Sequence, residues 1–85
     1  MALLEQDLRA IEAVLGATPA AAVAGELKRC IPGLAVMRCD AADVLEEPYR
    51  SYAGLDLHLI DGSSHCPKVT DDPLRAGGVL LAVRT

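Results

Sequence analysis

The stretch LDLHLIDGSSHCPKVT, residues 55–70, organises the fold that the sequence predicts. In its first half, leucines alternate with more polar residues, and this period of two is typical of a strand with one buried face. Asp61, Gly62 and the two serines that follow form a turn, so the second half returns as the other strand of a β-hairpin. Pro67 lacks a backbone N–H, which places this returning strand at the edge of a sheet.

Two amphipathic helices precede this hairpin. The first has leucines and Ile11 at helical spacing between residues 4 and 15, and it ends at Gly16. The second follows Thr18-Pro19 and ends before Pro32-Gly33. Because so short a connection leaves little choice of geometry, we expect the two helices to pack as an antiparallel hairpin.

Two further strands complete the predicted sheet. LAVMRC (34–39) is the first strand, Asp40 caps a short helical turn over residues 41–46, and VLLAVR (79–84) is the last strand. Residues 1–85 are thus predicted to form one α+β domain, an N-terminal helical hairpin packed on a four-stranded, mainly antiparallel sheet. The residues predicted to be largely buried are Leu4, Leu8, Ile11, Leu15, Val23, Leu27, Ile31, Val36, Leu57, Leu59, Val69, Leu80 and Val83.

The composition excludes several classes of protein. Eight basic and twelve acidic side chains give a net charge of −4 with no basic stripe, so nucleic acid and anionic membranes are not expected partners. No apolar run is long enough to span a bilayer, and no export signal is evident. The three cysteines, an odd number, then indicate reduced thiols and a cytoplasmic location.

The hairpin carries most of the chemically interesting side chains. Val69 is expected to share the buried face of the hairpin with Leu57. His58 and Cys66 then share the solvent face, and His65 points to the opposite one. His65 and Cys66 are therefore poor candidates to bind one ion together, although they are neighbours in the sequence.

A metal site would need more ligands than the hairpin supplies. Cys39 could add a third, but structural zinc sites usually have four, and Cys30 is expected in the helical core. We therefore predict no metal and no cofactor, with His58, Cys66, His65 and Cys39 as weak candidates. Cys66 and His58 could also be assigned as the nucleophile and base of a thiol enzyme. Nothing in their spacing requires that assignment, so no catalytic residue is predicted.

Two features favour contact with another protein. Tyr49, Arg50 and Tyr52 follow a proline and resemble a recognition patch, since tyrosine and arginine are common interface anchors. They could equally cover the end of a small core. The last strand is apolar on both faces, so one face, with Leu81 as its simplest outward residue, is expected to lie open. This predicts a homodimer or a complex with a larger partner.

Residues 55–83, LDLHLIDGSSHCPKVTDDPLRAGGVLLAV, resemble a family of short uncharacterised proteins encoded beside nitrogen-fixation genes in diazotrophic bacteria. The resemblance covers about the last third of the chain, and its motif includes His65 and Cys66. It implies a cytoplasmic accessory role in nitrogenase assembly, protection or regulation, without a residue-level activity. We therefore predict a non-enzymatic accessory domain that binds another protein. A Cys/His carrier of a metal or cluster is the alternative, and a small thiol enzyme is a further one.

Overall fold

Two helices precede a mixed five-stranded sheet in the computed structural model, which describes residues 3–52, 54–61 and 68–84. This confirms the predicted α+β class. The helices are α1 (Glu5–Ala17) and α2 (Ala20–Cys30), and neither is long and apolar enough to cross a membrane. The strands are β1 (Ala35–Asp40), β2 (Arg50–Tyr52), β3 (Leu55–Asp61), β4 (Lys68–Thr70) and β5 (Gly78–Val83), and a 3-10 turn (Ala41–Asp43) follows β1.

The start of α1 differs from the sequence prediction. Leu4 is the residue before the helix, and its N–H donates to the Asp7 carboxylate at 3.1 Å. Its side chain is 55% exposed, so the predicted burial of Leu4 is wrong. Leu3 is buried instead, and its N–H donates to the carbonyl oxygen of Pro73 at 2.9 Å. This bond ties the chain before α1 to the segment between β4 and β5.

The buried stripe of α2 is formed by Val23 and Leu27. Ile31, the first residue after the helix, is also buried. Cys30 is exposed, so its expected place in the helical core is wrong. The chain leaves the helical path at Ile31, which takes the buried position at this end of the helix.

β3 is the strand with the most neighbours in the sheet. The strand order is β1-β5-β3-β2, and β4 also pairs with β3. β2 pairs with residues 55–57 and β4 with residues 59–61, so both lie along the edge of β3 that faces away from β5. These pairs are antiparallel, whereas β1 and β5 are parallel. The predicted four strands become five because residues 50–52, which show no clear period, form β2.

Gly78 allows β5 to approach β1 closely. It pairs with Ala35 in the parallel register. A Cβ atom at position 78 would lie 2.6 Å from the Ala35 carbonyl oxygen and 2.8 Å from the Ala35 Cβ. Real Cβ atoms essentially never come so close to other heavy atoms, and glycine is the residue that permits such a backbone approach.

One face of the sheet packs against both helices. Leu55, Leu57 and Leu59 of β3 lie on this face, where Leu57 is opposite Leu81 and Leu59 is opposite Val79 of β5. All of these residues are at most 2% exposed and join the buried residues of α1 and α2 in one cluster. The predicted outward orientation of Leu81 is therefore wrong, because the register with β3 turns it towards the helices.

The predicted core is confirmed at most of its positions. Ile11, Leu15, Val23, Leu27, Ile31, Leu57 and Leu59 are buried, and Leu8, Val36 and Val83 are partly buried against them. Val69 is only partly buried and pairs with Ile60, so it lies on the face away from Leu57. Leu80 is also partly buried on that face, opposite His58. The predicted face of Val69 is wrong because the register places Val69 opposite Ile60, and an odd change of register turns a side chain to the other face. Pro67 lies outside the described residues.

Asp40 ends β1 and begins the 3-10 turn. Its carboxylate accepts the N–H of Ala42 at 3.0 Å, which confirms the predicted cap. The turn ends at Asp43, so the helical segment is shorter than the predicted residues 41–46. The following residues lead the chain to β2 at the far side of the sheet.

Candidate functional site

His58 lies in the middle of β3, on the sheet face that is turned away from the helices. It alternates with Leu57 and Leu59 and stands opposite Leu80 of β5. The side chain is 2% exposed, so its predicted solvent exposure is wrong, although it lies on the predicted face. Its Nδ1 has no hydrogen-bond partner among the described residues, which is uncommon for a buried polar atom.

Burial is the main influence on the imidazole. It lowers the pKa of His58 because the charged form loses its hydration, and the nearby carboxylates of Asp56 and Glu46 oppose part of this change. Asp56 Oδ1 already accepts a hydrogen bond from Arg84 Nη1 at 2.5 Å. Within the described residues, therefore, no carboxylate orients His58 through Nδ1 as the base of a Cys-His enzyme would require.

Cys39 lies on the same face as His58 but is separated from it by a whole strand. Cys39 belongs to β1 and His58 to β3, with β5 between them. Neighbouring strands are about 4.8 Å apart, so the two backbones are roughly 10 Å apart. Burial raises the pKa of the Cys39 thiol, and the charges of Asp43 and Asp40 raise it further. These effects disfavour the thiolate that nucleophilic attack or metal ligation needs.

The predicted metal ligands do not meet in the part of the chain that the structure describes. Within residues 3–52, 54–61 and 68–84, no group of three His, Cys, Asp or Glu side chains is placed to hold a metal ion. His65 and Cys66 lie outside these residues, so their expected faces and the pairing of Cys66 with His58 stay predictions. The metal-carrier and thiol-enzyme hypotheses therefore depend on side chains beyond the described ones.

The tyrosine segment is fastened to α1 and to the core. Arg50 donates from Nε to Glu12 Oε1 at 3.1 Å and from Nη1 to the Tyr49 carbonyl oxygen at 2.8 Å. Its guanidinium also lies 4.6 Å from the centroid of the Tyr49 ring. Tyr49 and Tyr52 are partly buried against the core, and burial, aided by the charge of Glu12, raises the pKa of Tyr52. Arg50 and Tyr52 thus make intramolecular contacts that hold β2 in place.

Tyr49 also lines an open cleft at the edge of the sheet, which we call the acidic cleft. Residues 46–49 form one wall and residues 69–71 the other. Its volume is about 460 Å³, within the range of about 300–1,000 Å³ that is usual for ligand pockets. Exposed carboxylates of Glu46, Glu47 and Asp71 border it, and Pro48 and the Tyr49 side chain add apolar surface.

The acidic cleft could not be found from the sequence. Its two walls are at least twenty positions apart in the chain and meet only because β2 and β4 pair with the same edge of β3. Side-chain bonds fix the end of the second wall, since Thr70 Oγ1 accepts the N–H of Asp72 at 3.1 Å and Asp72 Oδ1 accepts that of Leu74 at 3.0 Å. Asp72 thus caps the turn that follows, whereas Asp71 is exposed at the cleft.

Leu45 adds an exposed apolar group next to the acidic cleft. It immediately precedes Glu46 in the chain and its side chain is 94% exposed. Single exposed leucines are common on protein surfaces. Here the leucine adjoins a cleft with carboxylates and an aromatic ring, so the two together could contact a segment with both basic and apolar side chains.

Comparison with known proteins gives no relative for this arrangement. No protein-family model matches the chain, and neither the curated proteins nor the solved structures give a match.

Proposed function

We propose that this chain is a small cytoplasmic accessory protein that acts by binding another protein, without catalysing a reaction. The observation that carries the proposal is the acidic cleft, a recess of about 460 Å³ between residues 46–49 and 69–71. It combines carboxylates with an aromatic ring and a neighbouring exposed leucine. Aromatic side chains in a partly enclosed surface are favoured sites of protein recognition.

The chemistry of the acidic cleft selects a basic partner segment. Glu46, Glu47 and Asp71 are exposed acids at the cleft. The basic residues that adjoin its walls in the chain are Arg50, which is paired with Glu12, and Lys68, which does not line the cleft. A lysine or arginine of the partner would meet this negative charge and could stack on the Tyr49 ring. An apolar residue beside that cation would have Leu45 to pack against. The partner class is therefore a protein with an exposed segment that carries a cation next to an apolar side chain.

The resemblance of residues 55–83 supports a setting in nitrogen fixation. In that setting the accessory protein would bind a component of nitrogenase assembly, protection or regulation. The motif covers β3, β4 and β5, and Val69 and Thr70 of this stretch line the acidic cleft.

The test is affinity capture from cells grown under nitrogen-fixing conditions and from cells given ammonia. The wild-type chain and the double variant Glu46→Gln, Glu47→Gln serve as baits, and bound proteins are quantified by mass spectrometry. We expect at least one protein to bind the wild type under nitrogen-fixing conditions and to bind the double variant about tenfold less, a change of about 1.4 kcal/mol.

A matched control separates the acidic cleft from net charge. Glu5→Gln, Glu26→Gln removes the same two charges from exposed ion pairs on α1 and α2, where such pairs contribute little to stability. This control should capture the same protein as the wild type. Equal capture by all three baits, or equal loss with both double variants, would contradict the proposed cleft-mediated binding.

A further inference from the structure

β1 is an edge strand with an open side. β5 pairs along one side of it, and no strand within residues 3–52, 54–61 and 68–84 pairs along the other. An open edge presents unpaired N–H and C=O groups, which favour addition of another strand. Four of the six residues of β1 are exposed, and Met37 among them is 47% exposed. The acidic cleft lies at the opposite edge of the sheet, so the two surfaces are independent.

The charges on this edge are complementary to each other. Arg38 and Asp40 are two positions apart, so both lie on the same face of β1. Arg38 is exposed and makes no ion pair with any described residue. Asp40 is exposed and uses Oδ1 to accept the N–H of Ala42, which leaves Oδ2 for another donor.

Two copies of β1 can pair antiparallel around a two-fold axis at Met37 or Arg38, which pairs five of the six strand residues, or at Cys39, which pairs residues 38–40. An axis at Arg38 places two guanidinium groups opposite each other, which is destabilising. An axis at Met37 leaves Arg38 opposite Val36 and forms no ion pair. An axis at Cys39 places Arg38 opposite the Asp40 of the second copy, and the two-fold axis forms this pair twice.

We infer that a second copy of this chain binds along β1 in the register centred on Cys39. The two sheets then become one continuous sheet with the two β1 strands at its middle. The acidic clefts lie at the two outer edges of this sheet, so each copy keeps its own binding surface. This interface uses a different surface from the proposed function and does not depend on it.

Charge reversal tests the register. In the variant Arg38→Asp, the introduced carboxylate faces Asp40 of the second copy, and in the variant Asp40→Arg, the introduced guanidinium faces Arg38 of the second copy. We expect either change to weaken dimerisation at least about tenfold, or about 1.4 kcal/mol, in sedimentation equilibrium. An equimolar mixture of the two variants restores both opposite-charge pairs and should form a heterodimer about as stable as the wild-type dimer.

Urea unfolding of each variant shows whether it is folded before association is measured. A wild-type chain that stays monomeric up to about 1 mM, where the binding free energy would be only about 4 kcal/mol, overturns the inference. The inference is also overturned if the equimolar mixture of Arg38→Asp and Asp40→Arg associates no better than either variant alone. A register without the Arg38–Asp40 pair would not respond to mixing.

A cross-link at Cys39 gives a second readout. In this register the two Cys39 side chains are directly opposite, with Cβ atoms about 4.5–5.5 Å apart. A variant that keeps Cys39 as its only thiol (Cys30→Ser, Cys66→Ser) should form a covalent dimer with a short bis-maleimide. The control keeps only Cys30, which is exposed at the end of α2. Equal cross-linking of the two proteins would contradict the register.

Discussion

Leu57→Ala tests the assignment of the buried sheet face. Leu57 is fully buried, with Arg50 of β2 on one side and Leu81 of β5 on the other. The substitution removes three buried carbon atoms, and at about 0.8 kcal/mol for each the transfer cost is about 2.4 kcal/mol. A cavity adds to this cost, and measured values for such changes are about 2–5 kcal/mol. Because paired strands on both sides limit collapse, we expect the upper half of that range.

Urea unfolding at pH 7 measures this difference, and thermal unfolding provides a second measure. For a domain of this size each 1 kcal/mol shifts the Tm by about 4–8 °C, so a loss in the upper half of the range should lower the Tm by at least about 14 °C. Leu45→Ala is the matched control, since Leu45 is 94% exposed and its loss should change stability by less than about 0.5 kcal/mol. A Leu57→Ala protein with the wild-type Tm would show that β3 is oriented wrongly.

His58→Leu tests the burial of the imidazole on the sheet face away from the helices, and Gly78→Ala tests the close parallel pairing of β5 with β1. Because the folded pKa of His58 lies below its unfolded value of 6.5, the wild type should lose stability as the pH falls below about 6.5. Urea unfolding of His58→Leu should show a smaller loss of stability between pH 7 and pH 5 than that of the wild type. Equal losses in the two proteins would contradict the burial of the imidazole. Gly78→Ala should destabilise by about 1–3 kcal/mol through its clash with Ala35. The control is Gly25→Ala, which lies in open space on α2 and should stabilise the protein by up to about 1 kcal/mol. Equal changes in stability for the two glycine variants would refute the close approach of β5 to β1 at Gly78.

The sequence patterns predicted the helices and the central strand because these elements have clear periods. The helical spacing of Ile11 and Leu15, and the alternation of Leu55, Leu57 and Leu59, each identify a buried face from local information alone. The start of α1 was less well defined, because Leu3 and Leu4 are both apolar and the periodicity does not distinguish them.

The sheet pairings depended on contacts that are distant in sequence. β5 is apolar on both faces, so nothing local indicates that Leu81, and not Leu80, faces the helices. The parallel pairing with β1 is set by Gly78 against Ala35, which are 43 positions apart. β2 is only three residues long and needs β3 as a partner to form. The acidic cleft follows from these pairings, so it could not be predicted before them.

The order of the strands in the sheet constrains when the protein can fold during its synthesis. β5 is made after every other described strand, yet it lies between β1 and β3. Until residues 78–83 have left the ribosome, β1 has no described strand to pair with. The helix-facing leucines of β3 also lack the neighbouring strand β5, whose Val79 and Leu81 lie beside them. Contacts of such long sequence separation slow folding. We therefore expect nascent chains that lack β5 to remain open and to need protection from aggregation until that strand emerges.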